Sequence, residues 1–261
     1  MKLSITIIGH READHLQELL PQLHWADEVV YVDCESADGS LEIATEQGCR
    51  SFSRPNNPNL NVNKSYAMEQ AQGEWVFYLD PDERIPEALS REILRVIESP
   101  GPHAAFRLRR RNHWFGRWLR YGSQYPDTQL RLFQRGAAEF PNRHVHEKLQ
   151  VNGSIGELGE DMLHFPYRTV SQFLRKFDFY TGVEAGYLQE AGETICWRSA
   201  LRFLVLKPWP RFFRRFVLKG GFRDGLPGFF CAWFDAMNFV VRYVKLWELE
   251  RGSSEVPGSQ R

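Results

Sequence analysis

The chain has 261 residues, 43% apolar and 25% charged, with 33 basic and 33 acidic side chains and a formal net charge of zero. That length and apolar share suit one large α/β domain, alone or with an appendage, and exclude a disordered chain. Cys34, Cys49, Cys196 and Cys231 lie far apart and form no C-x-x-C pair, so neither a zinc site nor a disulfide framework is expected, only isolated reduced thiols.

The neutral total conceals segregation. Arg107 to Arg120 holds six arginines and no acid, and Arg198 to Arg223 holds eight basic residues and no acid, whereas Glu12 to Glu46 is mainly acidic. Such local fields matter more to partners than the sum does. The apolar run Leu3–Gly9 is too short for a secretory leader and leads into His10-Arg11-Glu12, so the chain is expected to stay in the cytosol.

In chain order, Leu3–Ile8, Glu28–Asp33, Arg50–Ser53 and Trp75–Leu79 are short apolar or β-branched runs that end in polar or turn-forming residues, which predicts strands. Between them Glu12–Leu23, Ser40–Gln47 and Asn63–Ala71 space apolar residues by three and four, which predicts helices. Strand and helix alternate, so the sheet should be mostly parallel with right-handed crossovers. Its ligand should then bind outside the carboxyl ends of the strands, at Gly9-His10-Arg11, Asp33-Cys34-Glu35 and Asp80-Pro81-Asp82.

After Pro100 the texture changes. An arginine-rich stretch runs to Arg120, Gln129–Gln134 and Lys148–Val151 read as strands, Gly156–His164 reads as an irregular return, and helical patterning begins at Thr169. No G-x-G-x-x-G or G-x-x-x-x-G-K-[ST] follows the first strand, which argues against dinucleotide oxidoreductases and P-loop phosphotransferases. A nucleotide bound here needs another phosphate holder, and a carboxylate-held metal is the obvious one.

Asp80 and Asp82 follow an apolar strand, and extended alternation would send both side chains to one side. Two carboxylates could then share Mg²⁺ or Mn²⁺, which fills its remaining positions with water and phosphate oxygens and neutralises a departing diphosphate. A D-x-D match alone is weak, because 11 aspartates in 261 residues supply one by chance in about every second chain. The competing reading is a helix start, with Asp82, Glu83 and Pro86 leading into Glu87–Ile97.

Several runs carry a family likeness. Trp25-Ala26-Asp27-Glu28-Val29-Val30-Tyr31-Val32-Asp33, Ser36-Ala37-Asp38-Gly39-Ser40 and Leu79-Asp80-Pro81-Asp82-Glu83-Arg84 resemble glycosyltransferase family 2. With Arg110-Arg111-Asn112, Gly116, Trp118, Tyr125-Pro126-Asp127, Arg131-Leu132-Phe133 and Val145-His146-Glu147, the chain is similar to its lipopolysaccharide inner-core β-1,4-glucosyltransferase branch, over roughly residues 1–250.

The resemblance implies a GT-A nucleotide-sugar-binding fold, Rossmann-like, with a mostly parallel sheet flanked by helices and a C-terminal helical, basic-aromatic extension. The implied boundaries are a catalytic domain over 1–167, an extension over 168–251 and a disordered tail over 252–261. The implied reaction is a single inverting displacement from an α-linked UDP-sugar donor, UDP-glucose in that branch, to a β-linked product on a lipopolysaccharide core or related anionic glycolipid.

Residue by residue, the family's Asn-Glu pair after the first strand corresponds to Arg11-Glu12, where Glu12 fits and Arg11 departs. Asp33 falls near the base, and Thr6 is either a nucleotide contact or only a strand former. The family's Gln-Lys-Asn element corresponds to Asn63-Lys64-Ser65, so Lys64 is set to meet a phosphate, against the plainer reading of an exposed helix lysine. Asp80 should contact ribose or metal and Asp82 should ligate the metal, with Pro81 stiffening the loop between them. Either His146 or His164 could join the metal, but neither is assigned to it.

The general base must reach the acceptor hydroxyl. By resemblance Glu147 is the first choice and Asp127 the second, the plain alternative for both being an ion pair with Arg131 or Arg143. Arg110 and Arg111, with Arg109, Trp114 and Trp118, combine guanidinium and ring chemistry that suits phosphorylated sugars. The neutral total and the resemblance favour an anionic glycolipid over nucleic acid.

Segment 202–223 interleaves Phe203, Trp209, Phe212, Phe213, Phe216 and Phe222 with Lys207, Arg211, Arg214, Arg215 and Lys219. That composition suits a membrane surface. Gly228–Val241 is interrupted by Asp235 and Asn238 and is shorter than the roughly 20 residues of a span. Peripheral contact through 202–249, on the inner face of the cytoplasmic membrane, is the expectation, and a helical hairpin closing over the sheet is the alternative. A nucleotidyltransferase on a related sheet and an inactive glycan-binding scaffold remain as other functions.

Overall fold

The first strand, β1 (Leu3–Gly9), is buried along its whole length, because it lies between two other strands and is covered on both faces. The computed structural model describes residues 1–57, 59–141 and 148–254. Next come α1 (Ala13–Leu19), ending in a 3₁₀ turn over Leu20–Gln22, β2 (Glu28–Cys34) and α2 (Ser40–Glu46). Then follow β3 (Arg50–Arg54), α3 (Leu60–Gln70) and β4 (Trp75–Leu79). These four strands are parallel in the order β3-β2-β1-β4, so their carboxyl ends share one edge.

The alternation along β1 divides the core. Leu3, Ile5 and Ile7 join Phe77 and Leu79 of β4 and Leu16 and Leu19 of α1 on one face, whereas Ile8 packs with Val32, Cys34 and Ala67 of α3 on the other. Ser4 and Thr6 share the second face by the period of two.

Beyond β4 come β5 (Glu83–Arg84), α4 (Glu87–Glu98), β6 (His103–Trp114), β7 (Arg117–Trp118) and β8 (Asp127–Gln134). The small strands β9 (Ala138–Glu139) and β10 (Gln150–Val151) pair with each other, and β11 (Ser154–Tyr167) follows. β8 pairs antiparallel with β4 and β6, and the sheet continues through β11 to β5. Leu89, Ile93 and Ile97 of α4 recur at helical spacing and are buried in the first core face. The chain thus has a mixed sheet, parallel over its first four strands and antiparallel beyond them, flanked by helices and followed by a helical C-terminal region.

The strand β11 corrects the irregular return expected over Gly156–His164. Gly156 misleads the sequence reading: it permits close approach, since a Cβ there would lie 2.6 Å from the Phe106 ring. The strand expected over Lys148–Val151 is shorter, beginning at Gln150.

The chain divides into two compact units, one of Met1–Arg111 with Asp127–His164, the other of Asn112–Pro126 with the chain from Phe165 onward. The second unit contains α5 (Val170–Glu190), α6 (Trp197–Leu201), a π-helical turn over Arg202–Leu206, and α7 (Pro208–Phe213). A second π turn over Arg214–Leu218 and a 3₁₀ turn over Gly221–Asp224 lead to α8 (Gly225–Ser254). Thr169 caps α5 by accepting from the Gln172 N–H at 3.1 Å. Pro208 brings no N–H to the helical ladder, and the first π turn ends beside it. Phe203, Tyr243 and Leu246 form the core here. No helix among the described residues is long and apolar enough to cross a membrane. All four cysteines are free thiols.

Candidate active site

At the carboxyl ends of β1 and β2 the chain turns through left-handed residues, Arg11 (φ 57°) and Glu35 (φ 56°). Such angles are uncommon outside glycine and need support from their surroundings. The support comes from the Ser36–Ser40 turn. Ser36 Oγ accepts from the Arg11 N–H (2.8 Å), Ser40 Oγ from the Glu12 N–H (3.0 Å) and Asp38 Oδ2 from the Ala13 N–H (3.1 Å). These are amides at the start of α1, so the turn acts as a cap supplied by another segment. Burial works against the Asp38 charge, but hydrogen bonds from Ser40 and Ala13 outweigh it and hold its carboxyl below the usual range.

Asp33, at the end of β2, is buried and accepts from the Ser36 N–H at 2.8 Å and the Tyr31 hydroxyl at 3.2 Å. Gly9 is required beside it, because a Cβ would stand 2.8 Å from the same hydroxyl. Glu12 immediately precedes α1. Thr6 is buried in mid-strand, opposite Val30 and Tyr78.

Asp80, Pro81, Asp82 and Glu83 form a turn after β4, closed by the Glu83 N–H donating to the Asp80 carbonyl at 3.0 Å. This corrects the expectation of an extended segment: the two aspartates sit on a turn. It also answers the helix-start alternative, since Pro86 precedes α4 and no side chain caps it.

The two aspartates have different partners. Asp80 Oδ1 is 3.2 Å from the Lys64 ammonium and its Oδ2 is 2.8 Å from the Arg131 guanidinium. Lys64 is 15% exposed, lies 4.5 Å from the Tyr78 ring centroid and donates to its hydroxyl at 3.3 Å, which excludes the exposed-lysine reading. Asp82 Oδ1 instead lies 3.6 Å from His164 Nε2; β11 and β5 pair His164 with Glu83, next to Asp82.

Behind this turn lies a buried ion network. Glu83 is fully buried and contacts Arg110 at 2.9 Å and also Arg131. Arg110 bridges on to Asp127 at 2.8 Å, its cross-strand partner between β6 and β8, and Gln129 donates to the other Asp127 oxygen at 2.7 Å. Arg110 is thus an ion partner of Asp127, whereas Arg143, the other arginine expected near it, lies outside the described residues. Burial disfavours charge on Asp80, Lys64 and Arg131. Their opposite charges outweigh it, holding the Asp80 carboxyl far below its usual range and both cations above theirs.

Lys64, Tyr78, Asp127, Gln129, Phe140 and Lys148 line one cavity of about 580 Å³. The structure thus brings together Lys64, Asp80 and Asp127 from three distant stretches, with Arg110 as a strut. Arg111 lies apart, on Asp161 at 2.7 Å, an acid it shares with Arg109. Trp118 belongs to the second unit, edge-on to Tyr125 at 5.4 Å with Arg120 4.2 Å from its ring centroid. Glu147 and His146 lie outside the described residues. Sequence reasoning gave Glu83 only a place in a possible helix start, Arg131 only a possible ion pair with Asp127 or Glu147, and Tyr78 no role, because the network that joins them depends on how β4, β5, β6 and β8 come together in the sheet.

Among the described residues, no three His, Cys, Asp or Glu side chains are grouped to hold a metal. Mg²⁺ takes only one or two carboxylates beside phosphate and water, and the approach of Asp82 to His164 fits that sparse donor set. Asp80 fits less well, each oxygen already facing a cation.

Four parallel strands with acids in the turn after the fourth, and no glycine-rich loop after the first, fit the class of nucleotide-sugar glycosyltransferases. Residues 4–154 match the sequence pattern described as Glycosyl transferase family 2, and the chain belongs to that family, with its GT-A fold. It is 25% identical over 95% of its length to the lipopolysaccharide core biosynthesis glycosyltransferase LpsC of Rhizobium meliloti, covering 93% of that protein. A glycosyltransferase of Rickettsia bellii is 26% identical over 99% of the chain and 90% of its own length. Among solved structures, the mannosyltransferase PcManGT of Pyrobaculum calidifontis, in complex with GDP-Man and Mn²⁺, aligns with a TM-score of 0.55 at 13% identity, over 94% of this chain and 87% of that one.

Proposed function

We propose that the enzyme transfers glucose from UDP-glucose, with inversion, to a lipopolysaccharide core or related anionic glycolipid. The observation that carries this reading is the meeting of Lys64, Asp80 and Asp127 where β4 ends, with Lys64 and Asp127 lining one cavity. The LpsC likeness supports the acceptor class. Lys64 meets the donor phosphates, Asp80 orients Lys64 and the ribose, and Glu12, Asp33 and Thr6 complete the nucleotide side.

Asp82, with His164 beside it, would hold Mg²⁺ or Mn²⁺, which when bound offsets the charge of the leaving diphosphate. The acceptor hydroxyl gives its proton to Glu147 as it attacks the anomeric carbon from the face opposite UDP. Asp127, steadied by Arg110 and Gln129, receives acceptor hydroxyls, and Arg111 and Trp118 extend the acceptor side.

The chain works on the inner face of the cytoplasmic membrane as a peripheral protein, in contact through 202–249. In support, Leu206, Trp209, Phe213 and Leu218 are all more than half exposed, at 59%, 59%, 53% and 68%. Lys207, Arg211, Arg214 and Lys219 lie between and beside them, and apolar side chains can enter the headgroup boundary while cations meet anionic lipid.

The test is UDP release by the purified chain across a panel of UDP-sugars with Mg²⁺ or Mn²⁺, with and without purified lipopolysaccharide core. Acceptor-dependent UDP release with UDP-glucose supports the proposal. Pyrophosphate release in its place would identify a nucleotidyltransferase, and release of neither product with any donor would leave an inactive scaffold.

A further inference from the structure

Within the second unit, Trp114 and Gln124 together with α5, α7, the second π turn and α8 line a cavity of about 410 Å³. That is in the size range of small-molecule sites, about 300–1,000 Å³. One part of its lining is aromatic. The Phe173 ring lies 5.4 Å from Trp114, 5.7 Å from Phe177 and 5.1 Å from Phe234, centroid to centroid.

The rest is charged and unbalanced. Arg211 and Arg215 share the single carboxylate of Asp235, Arg215 at 2.9 Å, and Arg242 pairs with Glu184 at 3.1 Å. Three guanidinium groups thus face two carboxylates, leaving one positive charge in excess. Arg242 Nε is buried and has no hydrogen-bond partner, an unfavourable state unless something accepts from it. Burial pushes the Cys231 thiol in the same wall up to about 12, so it is a neutral lining group and not a nucleophile.

Aromatic surface beside forked donors with surplus positive charge is the chemistry that recognises a sugar bearing an anionic group: the rings cover the apolar face of the pyranose, and the guanidinium groups take the oxyanion. We propose that this cavity of the second unit binds a phosphate-bearing sugar unit of the glycan acceptor, through residues other than Lys64 and Asp127. The inference rests on the proposed acceptor class. It adds a second recognition element: the chain reads a charge on the acceptor as well as the hydroxyl that reacts.

The experiment titrates glucose 6-phosphate into the full-length chain by calorimetry, with saturating UDP to occupy the donor site. Expected is one binding event that weakens at least about tenfold in Arg215→Gln and in Arg242→Gln, the loss of one charge-assisted hydrogen bond. Asn238→Phe should abolish it by filling the cavity without removing a charge, which keeps the test decisive if an arginine variant unfolds. Binding unaffected by all three variants overturns the proposal. So does inorganic phosphate binding as tightly as the sugar phosphate, since the rings would then contribute nothing. A phosphate-bearing lipid as the occupant would appear as Arg215-dependent binding to phosphatidate vesicles with no binding of glucose 6-phosphate, and that too overturns it. Absence of UDP release by the unaltered chain would instead sink the transferase reading, which the titration does not measure.

Discussion

Asp80 and Arg131 lie 2.8 Å apart, and the arginine is 1% exposed. Its guanidinium carbon is 3.8 Å from the Tyr78 ring centroid, and its Nε and Nη1 have no hydrogen-bond partner, so the ring's π face and two carboxylates compensate its burial. The second acid of the sequence motif, Asp82, lies 3.6 Å from His164 Nε2. The two aspartates therefore differ in their surroundings: Asp80 pairs with Lys64 and Arg131, Asp82 approaches His164, and on the proposed reading it is Asp82 that would hold the metal.

Arg131→Met should expose that dependence. Removing one member of a buried ion network leaves the others uncompensated and costs about 3–5 kcal/mol. Glu83 keeps Arg110, but Asp80 loses the partner of one oxygen. Urea unfolding should show a lower midpoint at unchanged slope. A loss below about 1 kcal/mol would mean that water replaces the guanidinium without difficulty.

Stability should also fall in acid through Asp80. Burial works to raise its carboxyl, but Lys64 and Arg131 hold it well below the ordinary range. The folded chain therefore gives up this proton more readily than the unfolded chain. The stabilisation is complete above the unfolded value of about 4 and is lost as pH drops below it. Unfolding midpoints between pH 3 and pH 7 should fall at the acid end, and Asp80→Asn should flatten that limb. An unchanged limb in the variant would assign the acid loss to other carboxylates.

The first half of the sheet was legible in the sequence because the local signals agree. Trp75–Leu79 was placed to the residue, and Leu3–Ile8, Glu28–Asp33 and Arg50–Ser53 each fell one residue short at the carboxyl end. Beyond residue 100 those signals conflict. Gly156 and Gly159, with Glu157, Glu160 and Asp161, disguise β11 as a loop, although its pairing makes it a strand. The ion network was hidden for a related reason. Arg110, Arg131 and Glu83 are 21 to 48 residues apart in the chain, and only antiparallel pairing brings them into contact.

Asp82→Asn should reduce UDP release by at least about a hundredfold at fixed metal, a loss on the scale of removing one transition-state electrostatic contact. His164→Ala should raise the Mn²⁺ concentration needed for half-maximal activity while leaving the fold intact, as judged by circular dichroism. Activity of Asp82→Asn near that of the unaltered chain would remove this side chain from the metal assignment.

Glu147→Gln keeps the shape of the side chain but cannot accept a proton. Loss of a general base costs about 10²–10⁴ in turnover, so kcat should fall by that amount with little change in KM for UDP-glucose. Asp127→Asn should act mainly on KM for the acceptor, because the amide oxygen can still accept from Arg110 and the amide NH2 can donate to Gln129 once that side chain turns its oxygen inward. If the two variants exchanged these effects, Asp127 would be the base.

The proposed membrane contact is open to a test by inserting charge. Trp209 and Phe213 are 59% and 53% exposed, and burying each in the headgroup boundary would contribute about 1.5–3 kcal/mol. Neighbouring lysines and arginines add about 1 kcal/mol each near an anionic surface. Trp209→Asp with Phe213→Asp should therefore weaken flotation with phosphatidylglycerol vesicles at least about tenfold. Raising salt should weaken the unaltered chain only in part, since the apolar contribution is not screened. If the unaltered chain fails to float at low salt, the exposed rings have some other partner, and the proposed membrane contact is wrong.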